Sequence, residues 1–263
     1  MRYKLIASDM DGTLLNHESA LTPRTTAALL KAVEAGALFV AATGRAAQGV
    51  WFLGDVFGED LPFIVLNGAS AVMSKSRKVL FNKFLDISLA KEAYEFGLSR
   101  GVPMVLWTDK RLWLSSMHPT TETYRKYYGM DLNIISDVGK LAGENIYKVF
   151  WVDSAENTRR HQSEMNEHFG GRLLCQSSMP QYLEFVSSEA GKGTALAQIG
   201  ALYGIGRDEM IAFGDGHNDI SMLQYAGLGV AVENAPEEVK AASDRLTLSN
   251  NNDGVAIVLE ELF

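Results

Sequence analysis

The chain has 263 residues, of which 47% are hydrophobic and 21% are charged, and its formal net charge is −8. This length favours a core domain with a sizeable insertion or second lobe, and no part of the composition is typical of disorder. The negative charge and the short Lys/Arg runs argue against nucleic acid or anionic lipid as partners. No apolar stretch approaches the ~20 residues of a membrane span, so no membrane partner is expected.

The single cysteine, Cys175, cannot form an intrachain disulfide. The apolar part of the N-terminal stretch M-R-Y-K-L-I-A-S-D is too short for a signal peptide. We therefore expect a reducing, cytoplasmic setting. The expected oligomeric state is a monomer or weak homodimer. No catalytic motif surrounds Cys175, which favours a small buried side chain over a nucleophile.

The first eighty residues alternate short apolar runs with helical patterns. Strands are predicted over 5–7, 37–43 and 63–68, and helical pieces over 22–36 and 51–57. Thr22-Pro23 is a helix start signal and Gly36 is a stop signal. Near-continuous apolar strands separated by helices predict a parallel sheet that is covered on both faces.

The middle of the chain is different, because it is rich in β segments. They lie at 78–84, 102–108, 111–116, 147–152 and 182–186, with helices near 88–100, 120–128 and 155–168. The C-terminal part again alternates apolar strands with helices. A helix is predicted over 192–203, strands over 210–215 and 228–232, and further helices ending near 226 and starting near 234–236. We expect a Rossmann-like α/β parallel sheet core over 1–82 and 189–263, with an inserted α+β domain over 83–188.

Polar residues follow four of the predicted core strands. They are Asp9 and Asp11, then 43–45, 67–68 and 214–219. The carboxyl ends of parallel strands meet at one edge of a sheet, and ligands bind there. The sequence therefore predicts that these polar groups converge on one site.

Asp9 and Asp11 are two residues apart in an extended segment, so both can face one ligand. With Asp215 arriving from another strand, the carboxylates repel one another unless a cation lies between them. Carboxylate oxygens with room for water suit a hard cation, and Mg²⁺ fits best. Thr43 and Gly44 supply a hydroxyl and an open backbone N–H for phosphate oxygens, and Lys192 adds positive charge at a helix start.

Three simpler motifs lack residues that they require. A calcium loop starting at Asp9 needs Gly and Glu where this chain has Leu14 and Ala20. The stretch G-K-G-T resembles a nucleotide P-loop, but Gly193 replaces the required Ser/Thr and Val186 stands at the upstream glycine position. The stretch G-L-G-V-A-V, at 227–232, lacks the third glycine of a dinucleotide loop.

The ordered set D-M-D-G-T (9–13), T-G-R (43–45), Lys192 in G-K-G-T-A-L and G-D-G-H-N-D (214–219) closely resembles the haloacid dehalogenase superfamily. The long insertion between the second and third motifs resembles the Cof-type branch of that superfamily, which has a C2 cap. The stretches N-A-P-E-E-V-K-A-A-S-D (234–244) and N-N-D-G-V-A (251–256) are similar to the same branch. The resemblance covers the core and is weak over the insertion.

The resemblance implies a role for each matching residue. Asp9 would be the nucleophile that forms an aspartyl phosphate, and Asp11 would protonate the leaving oxygen and then accept a proton from water. Asp9, the backbone carbonyl of Asp11 and Asp215 would hold Mg²⁺. Phosphate would be held by Thr43, Gly44, Lys192, Asn218 and the backbone N–H of Met10. Asp219 would orient Lys192 or a metal-bound water.

Two further motif residues have less definite roles. His217 is expected to face solvent or the cap rather than to act in catalysis. Arg45 would contact substrate or cap the next helix. Because both Asp9 and Asp11 are present, an inactive relative is not expected.

The expected function is a Mg²⁺-dependent phosphatase, a phosphoric monoester hydrolase that acts on small phosphorylated metabolites, above all sugar phosphates. A cap restricts the substrate to something small, which disfavours proteins and nucleic acids. The alternatives are a sugar phosphomutase with the same motifs and a non-enzymatic phospho-receiver module, against which the inserted lobe counts. Specificity is expected from residues of the inserted domain that reach the site, with the loop-bearing stretches at 107–113 and 176–182 as candidates.

Overall fold

The computed structural model describes residues 2–117, 132–141 and 143–263. The chain forms two compact units, a core unit of Met1–Phe81 and Gly191–Phe263 and an insert unit of Asn82–Ala190. The boundaries expected from the sequence lie one and two residues from these. The helix expected near 120–128 lies outside the described residues.

The core unit contains an eight-stranded sheet with the order β14-β13-β12-β1-β2-β3-β4-β5. Its strands are β1 (Leu5–Ser8), β2 (Leu38–Ala42), β3 (Pro62–Val65), β4 (Ser70–Met73), β5 (Val79–Asn82), β12 (Met210–Gly214), β13 (Leu228–Val232) and β14 (Arg245–Thr247). The insert unit supplies β6 (Met104–Thr108), β7 (Leu112–Leu114), β8 (Leu132–Ile134), β9 (Ile146–Val152), β10 (Leu173–Met179) and β11 (Tyr182–Ser187).

The centre of the core sheet is parallel, as expected from its apolar strands. Every neighbouring pair from β14 to β3 is parallel, whereas β4 returns antiparallel to β3. All four residues of β1 are buried, because both faces of a parallel sheet are covered. The antiparallel β4 and the edge strand β14 were not predicted from the sequence.

Helices cover this sheet, and those starting at Pro23, Trp51 and Lys192 begin where the sequence indicated, whereas the C-terminal helix over 254–262 was not predicted. They are α1 (Pro23–Glu34), α2 (Trp51–Phe57), α5 (Lys192–Tyr203), α6 (Ile220–Tyr225), α7 (Glu237–Ala241) and α8 (Gly254–Leu262), while α3 (Ile87–Ser99) and α4 (Ala155–Phe169) belong to the insert unit. The side chain of Thr22 accepts the N–H of Thr25, so Thr22 caps α1. Among the described residues, no helix combines the length and apolarity that crossing a bilayer needs.

The insert unit is an α+β layer, as expected. Its six strands run in the order β10-β11-β9-β6-β7-β8, and all described pairs are antiparallel except β7 with β8. A hydrophobic core that includes Tyr94, Trp151, Phe169 and Phe185 lies between the sheet and helices α3 and α4. Cys175 is buried in this core, and burial raises the pKa of its thiol to about 12.

The structure locates the turns within the two loop-bearing stretches that the sequence suggested as specificity elements. Residues 176–179 belong to β10, which pairs with β11, so the turn within 176–182 is limited to 180–181. Within 107–113, the turn is limited to 109–111, between β6 and β7. The consecutive polar residues Gln176 and Ser177 show no alternation of apolar and polar positions, which is why periodicity did not distinguish this part of β10 from a loop.

Candidate active site

The polar residues expected at strand ends lie together at the carboxyl edge of the core sheet. Asp9 follows β1, Thr43 follows β2, and Asp215 follows β12. Strand β1 lies between β12 and β2, and both pairings are parallel. The three segments therefore end side by side, at the edge where ligands bind in sheets of this kind.

The loop after β1 is held against Asp215. Thr13 Oγ1 donates to Asp215 Oδ1 at 2.7 Å, and Thr13 is fully buried. Gly12 has a φ of 85°, and a Cβ on this residue would collide with the Asp215 carboxylate. Only glycine allows both the left-handed φ and the close approach of the Asp215 carboxylate, so Gly12 is needed for the turn and for the position of Asp215.

Three carboxylates surround one buried ammonium group. Oxygens of Asp9, Asp215 and Asp219 lie within 4.8 Å of one another. Lys192, which is 0% exposed, contacts Asp9 Oδ1 and Asp219 Oδ1 through Nζ at 2.5 Å each. The cluster thus carries more negative than positive formal charge in a place that water hardly reaches.

The ionisation of this cluster is shifted by burial. Burial is the main reason that the pKa of Asp9 is raised well above its usual value; repulsion from Asp219 and Asp215 adds to the increase, and Lys192 opposes it. Burial and the charge of Asp219 raise the pKa of Asp215 to about 6, against the hydrogen bond from Thr13. For Lys192, burial lowers the pKa, but attraction to Asp219 and Asp9 outweighs it and the pKa is raised.

A divalent cation fits this donor set. Carboxylate oxygens are the ligands that hard cations prefer, and a nearby cation would lower the raised pKa values of Asp9 and Asp215. Asp219 is less free to bind a metal. Its Oδ1 accepts from Lys192, and its Oδ2 accepts the backbone N–H groups of Asp215 at 3.0 Å and Gly216 at 2.8 Å. This geometry leaves Asp9 and Asp215 as the carboxylates best placed for an ion.

Asp11 has a different environment from Asp9. Its carboxylate is outside the three-carboxylate cluster and binds the guanidinium of Arg45, with Nε donating to Oδ2 at 2.6 Å and Nη2 donating to Oδ1. The sequence left Arg45 with two alternatives, substrate or helix capping, and missed this ion pair. The separation of 34 residues hides the pair from any local pattern.

The residues expected to hold phosphate share one region. Asn218 Nδ2 donates to Asn67 Oδ1 at 2.9 Å, and a Cβ on Gly44 would lie 3.0 Å from the same Asn67 oxygen. Thr43 Oγ1 accepts the N–H of Arg45 at 3.0 Å. Asn67 is fully buried with a φ of 57°. The sequence located Asn67 at a strand end without giving it a role, although it joins two of the expected residues.

Gly193 in the G-K-G stretch serves the close packing of two helices. Lys192 is the first residue of α5, so its ammonium group approaches the cluster from a helix start. A Cβ on Gly193 would collide with the carbonyl oxygen of Ser221 at the beginning of α6, and the N–H of Gly193 donates to Ser221 Oγ at 3.1 Å. Glycine at this position lets α5 bring Lys192 next to Asp219.

Two other expected residues lie at opposite extremes of burial. Met10 is fully buried in the loop after β1, where its carbonyl accepts the N–H of Leu15 at 2.8 Å. The side chain of His217 is 54% exposed, and its Nε2 lies 4.0 Å from Glu238. This exposure agrees with the expectation that His217 faces solvent.

Comparisons with known proteins bear on the chain as a whole. Residues 6–259 match the family model of haloacid dehalogenase-like hydrolases. The chain is 33% identical to the putative phosphatase YxeH of Bacillus subtilis (strain 168), over 99% of this chain and 98% of that protein. It is 30% identical to the 5-amino-6-(5-phospho-D-ribitylamino)uracil phosphatase YwtE of the same strain, over 98% of each.

A solved structure gives the same picture. A haloacid dehalogenase-like hydrolase from Bacteroides thetaiotaomicron superposes with a TM-score of 0.83 at 29% identity, over 99% of this chain and 100% of that one. These likenesses extend over nearly the whole chain, so they include the insert unit as well as the core unit.

Proposed function

The chain belongs to the haloacid dehalogenase-like hydrolases and is a phosphoric monoester hydrolase of that family, and we propose that it hydrolyses small phosphorylated metabolites with Mg²⁺ through an aspartyl phosphate. Sugar phosphates are the substrate class that we propose first. The observation that carries this proposal is the buried cluster in which Lys192 contacts Asp9 and Asp219 beside Asp215.

Asp9 and Asp215, with the backbone carbonyl of Asp11, are the proposed Mg²⁺ ligands. Their support is the cluster of carboxylate oxygens and the raised pKa values of Asp9 and Asp215, which an ion would reverse. When bound, Mg²⁺ neutralises charge on the carboxylates and on the phosphoryl oxygens. This neutralisation matters because Asp9 must be ionised to attack phosphorus.

The proposed reaction has two steps. A carboxylate oxygen of Asp9 forms a bond to phosphorus while the bond from phosphorus to the ester oxygen breaks, and Asp11 gives its proton to the leaving oxygen. Water then attacks phosphorus, Asp11 takes a proton from that water, and the bond from phosphorus to Asp9 breaks. Asp11 is two residues from Asp9, but its carboxylate binds Arg45. We therefore propose that Asp11 breaks this ion pair before it exchanges a proton with the leaving oxygen or the attacking water.

Other residues bind and orient in this proposal. Phosphate oxygens are held by Thr43, Gly44, Lys192, Asn218 and the N–H of Met10. The charge of Lys192 offsets the charge that develops on the transferring group, which is the electrostatic part of catalysis. Asp219 holds Lys192 and the loop at 215–216 in place, as its two sets of hydrogen bonds suggest.

The substrate class is supported by one relative. The name of the Bacillus subtilis phosphatase YwtE specifies a phosphate ester on the ribityl chain of a substituted uracil. We propose that this chain acts on phosphate esters of similar size and polarity, with the insert unit as the cap that selects them. We also propose a cytoplasmic location and a monomer or weak homodimer, without nucleic acid or membrane partners.

A substrate screen tests this function. The purified chain is incubated with a panel of sugar, polyol and nucleoside monophosphates in Mg²⁺, and free phosphate is measured with and without EDTA. We expect release from a subset of sugar or polyol phosphates, its loss in EDTA and its return when Mg²⁺ is added in excess. An isomeric sugar phosphate formed without free phosphate would instead favour a phosphomutase.

The Asp9→Asn variant tests the covalent step. We expect hydrolysis of p-nitrophenyl phosphate to fall by at least about 10³-fold, because an amide cannot replace the attacking carboxylate. Circular dichroism should show an intact fold. Asp208→Asn, at an exposed residue, is the matched control. Retention of most activity in Asp9→Asn would exclude Asp9 as the nucleophile.

A further inference from the structure

Asn234 lies just after a strand of the core sheet, and the proposed reaction assigns it no role. It follows β13, and β13 is the parallel neighbour of β12, whose carboxyl end carries Asp215. Asn234 therefore lies at the same edge of the sheet as the candidate site. The sequence assigned no chemistry to this strand end, although N-A-P begins one of the stretches that resemble the family.

The side chain of Asn234 connects two loops. Its Nδ2 donates to the carbonyl oxygen of Gly12 at 2.8 Å, and its Oδ1 accepts the backbone N–H of Asn250 at 3.1 Å. Asn250 in turn donates from Nδ2 to the carbonyl oxygen of Leu15 at 2.8 Å. The two asparagines thus hold the loop after β1 at both Gly12 and Leu15.

The contact at Gly12 continues to Asp215. A hydrogen bond to the Gly12 carbonyl fixes the plane of the peptide that joins Gly12 to Thr13. Gly12 is the residue in this loop with the greatest conformational freedom, and its φ is 85°. Thr13 comes next and donates to Asp215 Oδ1 at 2.7 Å. Because Thr13 is buried, its hydroxyl cannot exchange this partner for water without cost.

We propose that Asn234 is a positioning residue that acts through Gly12 and Thr13 on Asp215 and thereby sets the affinity of the site for its divalent cation. This inference rests on the proposed function, in which Asp215 is a metal ligand. Asn250 assists by fixing the orientation of the Asn234 amide. Asn234 itself contacts neither the metal nor the substrate in this account.

The Asn234→Ala variant tests the inference by direct metal binding. Isothermal titration calorimetry measures the Mg²⁺ Kd of the full-length protein without substrate. We expect Kd to rise about 3- to 10-fold, which is below the 10- to 100-fold typical of groups bonded directly to metal ligands. The Mg²⁺ concentration for half-maximal phosphate release should rise by the same factor, while kcat at saturating Mg²⁺ changes by less than about twofold.

A double-mutant cycle tests the proposed path. Thr13→Val removes the hydroxyl that binds Asp215, and we expect it to raise Kd by about 10-fold or more. If Asn234 acts through Thr13, the double variant should bind Mg²⁺ about as weakly as Thr13→Val alone. Additive effects of the two substitutions on Kd would overturn the path.

Two variants separate positioning from general stability. Asn234→Asp keeps the size of the side chain and the acceptor for Asn250 but removes the donor to Gly12, and we expect it to raise Kd as Asn234→Ala does. Asn252→Ala removes a neighbouring asparagine that donates to Ser249, and its Kd should stay at the wild-type value. Thermal midpoints measured without metal report on stability.

The outcomes distinguish this inference from the proposed function. A wild-type Kd in both Asn234 variants overturns the inference, even where the thermal midpoint falls, because that result assigns Asn234 a purely structural role. If the unsubstituted protein neither binds Mg²⁺ nor needs it to release phosphate, the proposed function fails and the inference fails with it.

Discussion

Each of the two units buries a lysine against a carboxylate, and the surroundings of the two lysines differ. In the core unit, Lys192 is 0% exposed and contacts Asp9 and Asp219. In the insert unit, Lys148 is 5% exposed and donates to Glu184, which is 3% exposed, at 2.9 Å. Taking charges out of water is costly in either place, so both ion pairs need an explanation.

The difference lies in charge balance and in backbone position. Lys192 begins a helix at the carboxyl edge of a parallel sheet, where it meets an excess of carboxylates. Lys148 lies on β9, inside an antiparallel sheet, with its ammonium 5.3 Å from the Phe150 ring and one carboxylate from the neighbouring β11. Burial of an ion pair is therefore common to both units and does not by itself identify an active site. The core pair differs by its excess of carboxylates at strand ends, which a cation would balance.

Removing the two lysines should have different consequences, and the largest effect is expected on activity. We expect Lys192→Met to lower kcat/KM for phosphate release by about 10²- to 10³-fold, because the charge that offsets the transferring group is lost. Steady-state kinetics with the best substrate of the screen measure this. Lys31→Met, at an exposed lysine of α1, is the matched control. A loss below tenfold in Lys192→Met would contradict the distinction between the two pairs.

Lys148→Met should act on stability. It removes the ammonium group beside the buried carboxylate of Glu184, so we expect the free energy of unfolding to fall by up to about 3–5 kcal/mol. The double variant Lys148→Met/Glu184→Leu removes both charges and should recover most of this loss. Urea unfolding followed by tryptophan fluorescence is suitable, since three of the four tryptophans lie in the insert unit. A double variant as unstable as the single one would show that packing, not charge, is what Lys148 provides.

Gly12→Ala should disturb the core site through backbone and contact together. A left-handed residue other than glycine costs about 1–2 kcal/mol, and the added Cβ also collides with Asp215. Gly58→Ala is the control, because Gly58 has a φ of 70° and nothing within 4 Å of its Cβ position. We expect both variants to lose stability and only Gly12→Ala to lose Mg²⁺ affinity. Thermal unfolding with and without Mg²⁺ measures both, and equal Mg²⁺ responses would contradict the role of Gly12.

The smallest effect concerns an exposed ion pair of the insert unit. Hydrogen bonds from Arg172, with a further contribution from His168, lower the pKa of Glu92 from 4.5 to about 2. A lowered carboxyl pKa stabilises the folded state above pH 4.5, and this stabilisation disappears as the pH falls towards 2.

Glu92→Gln should therefore lower the free energy of unfolding by at most about 1 kcal/mol at pH 7, and this loss should shrink as the pH falls from 4.5 towards 2. Denaturant unfolding at several pH values measures this. Glu95→Gln, on the same helix, should show little pH-dependent difference, because the nearest described partner of Glu95, Lys91, is 3.7 Å away. If the free energy of unfolding differed by the same amount at every pH between Glu92→Gln and the unsubstituted protein, the ion pair of Glu92 would not contribute to stability.

The sequence predicted much of the fold because its local signals agree with the tertiary structure. The fold class is confirmed: β13 has the predicted bounds, and so do α2 and α5. The family is confirmed as well. Strand predictions were absent where a polar strand resembled a loop, as in 176–179, and where a short edge strand such as β14 carries little hydrophobic pattern.

The sequence by itself determined which residues end the strands, since apolar runs stop at Asp9, Thr43 and Asp215 and polar residues follow. The tertiary structure alone decided how these residues meet. Lys192 reaches Asp9 across 183 positions, and Asn234 reaches Gly12 across 222. The physical reason is that strand order and side-chain approach depend on how distant segments pack. The local sequence pattern indicates only which secondary structure each segment favours.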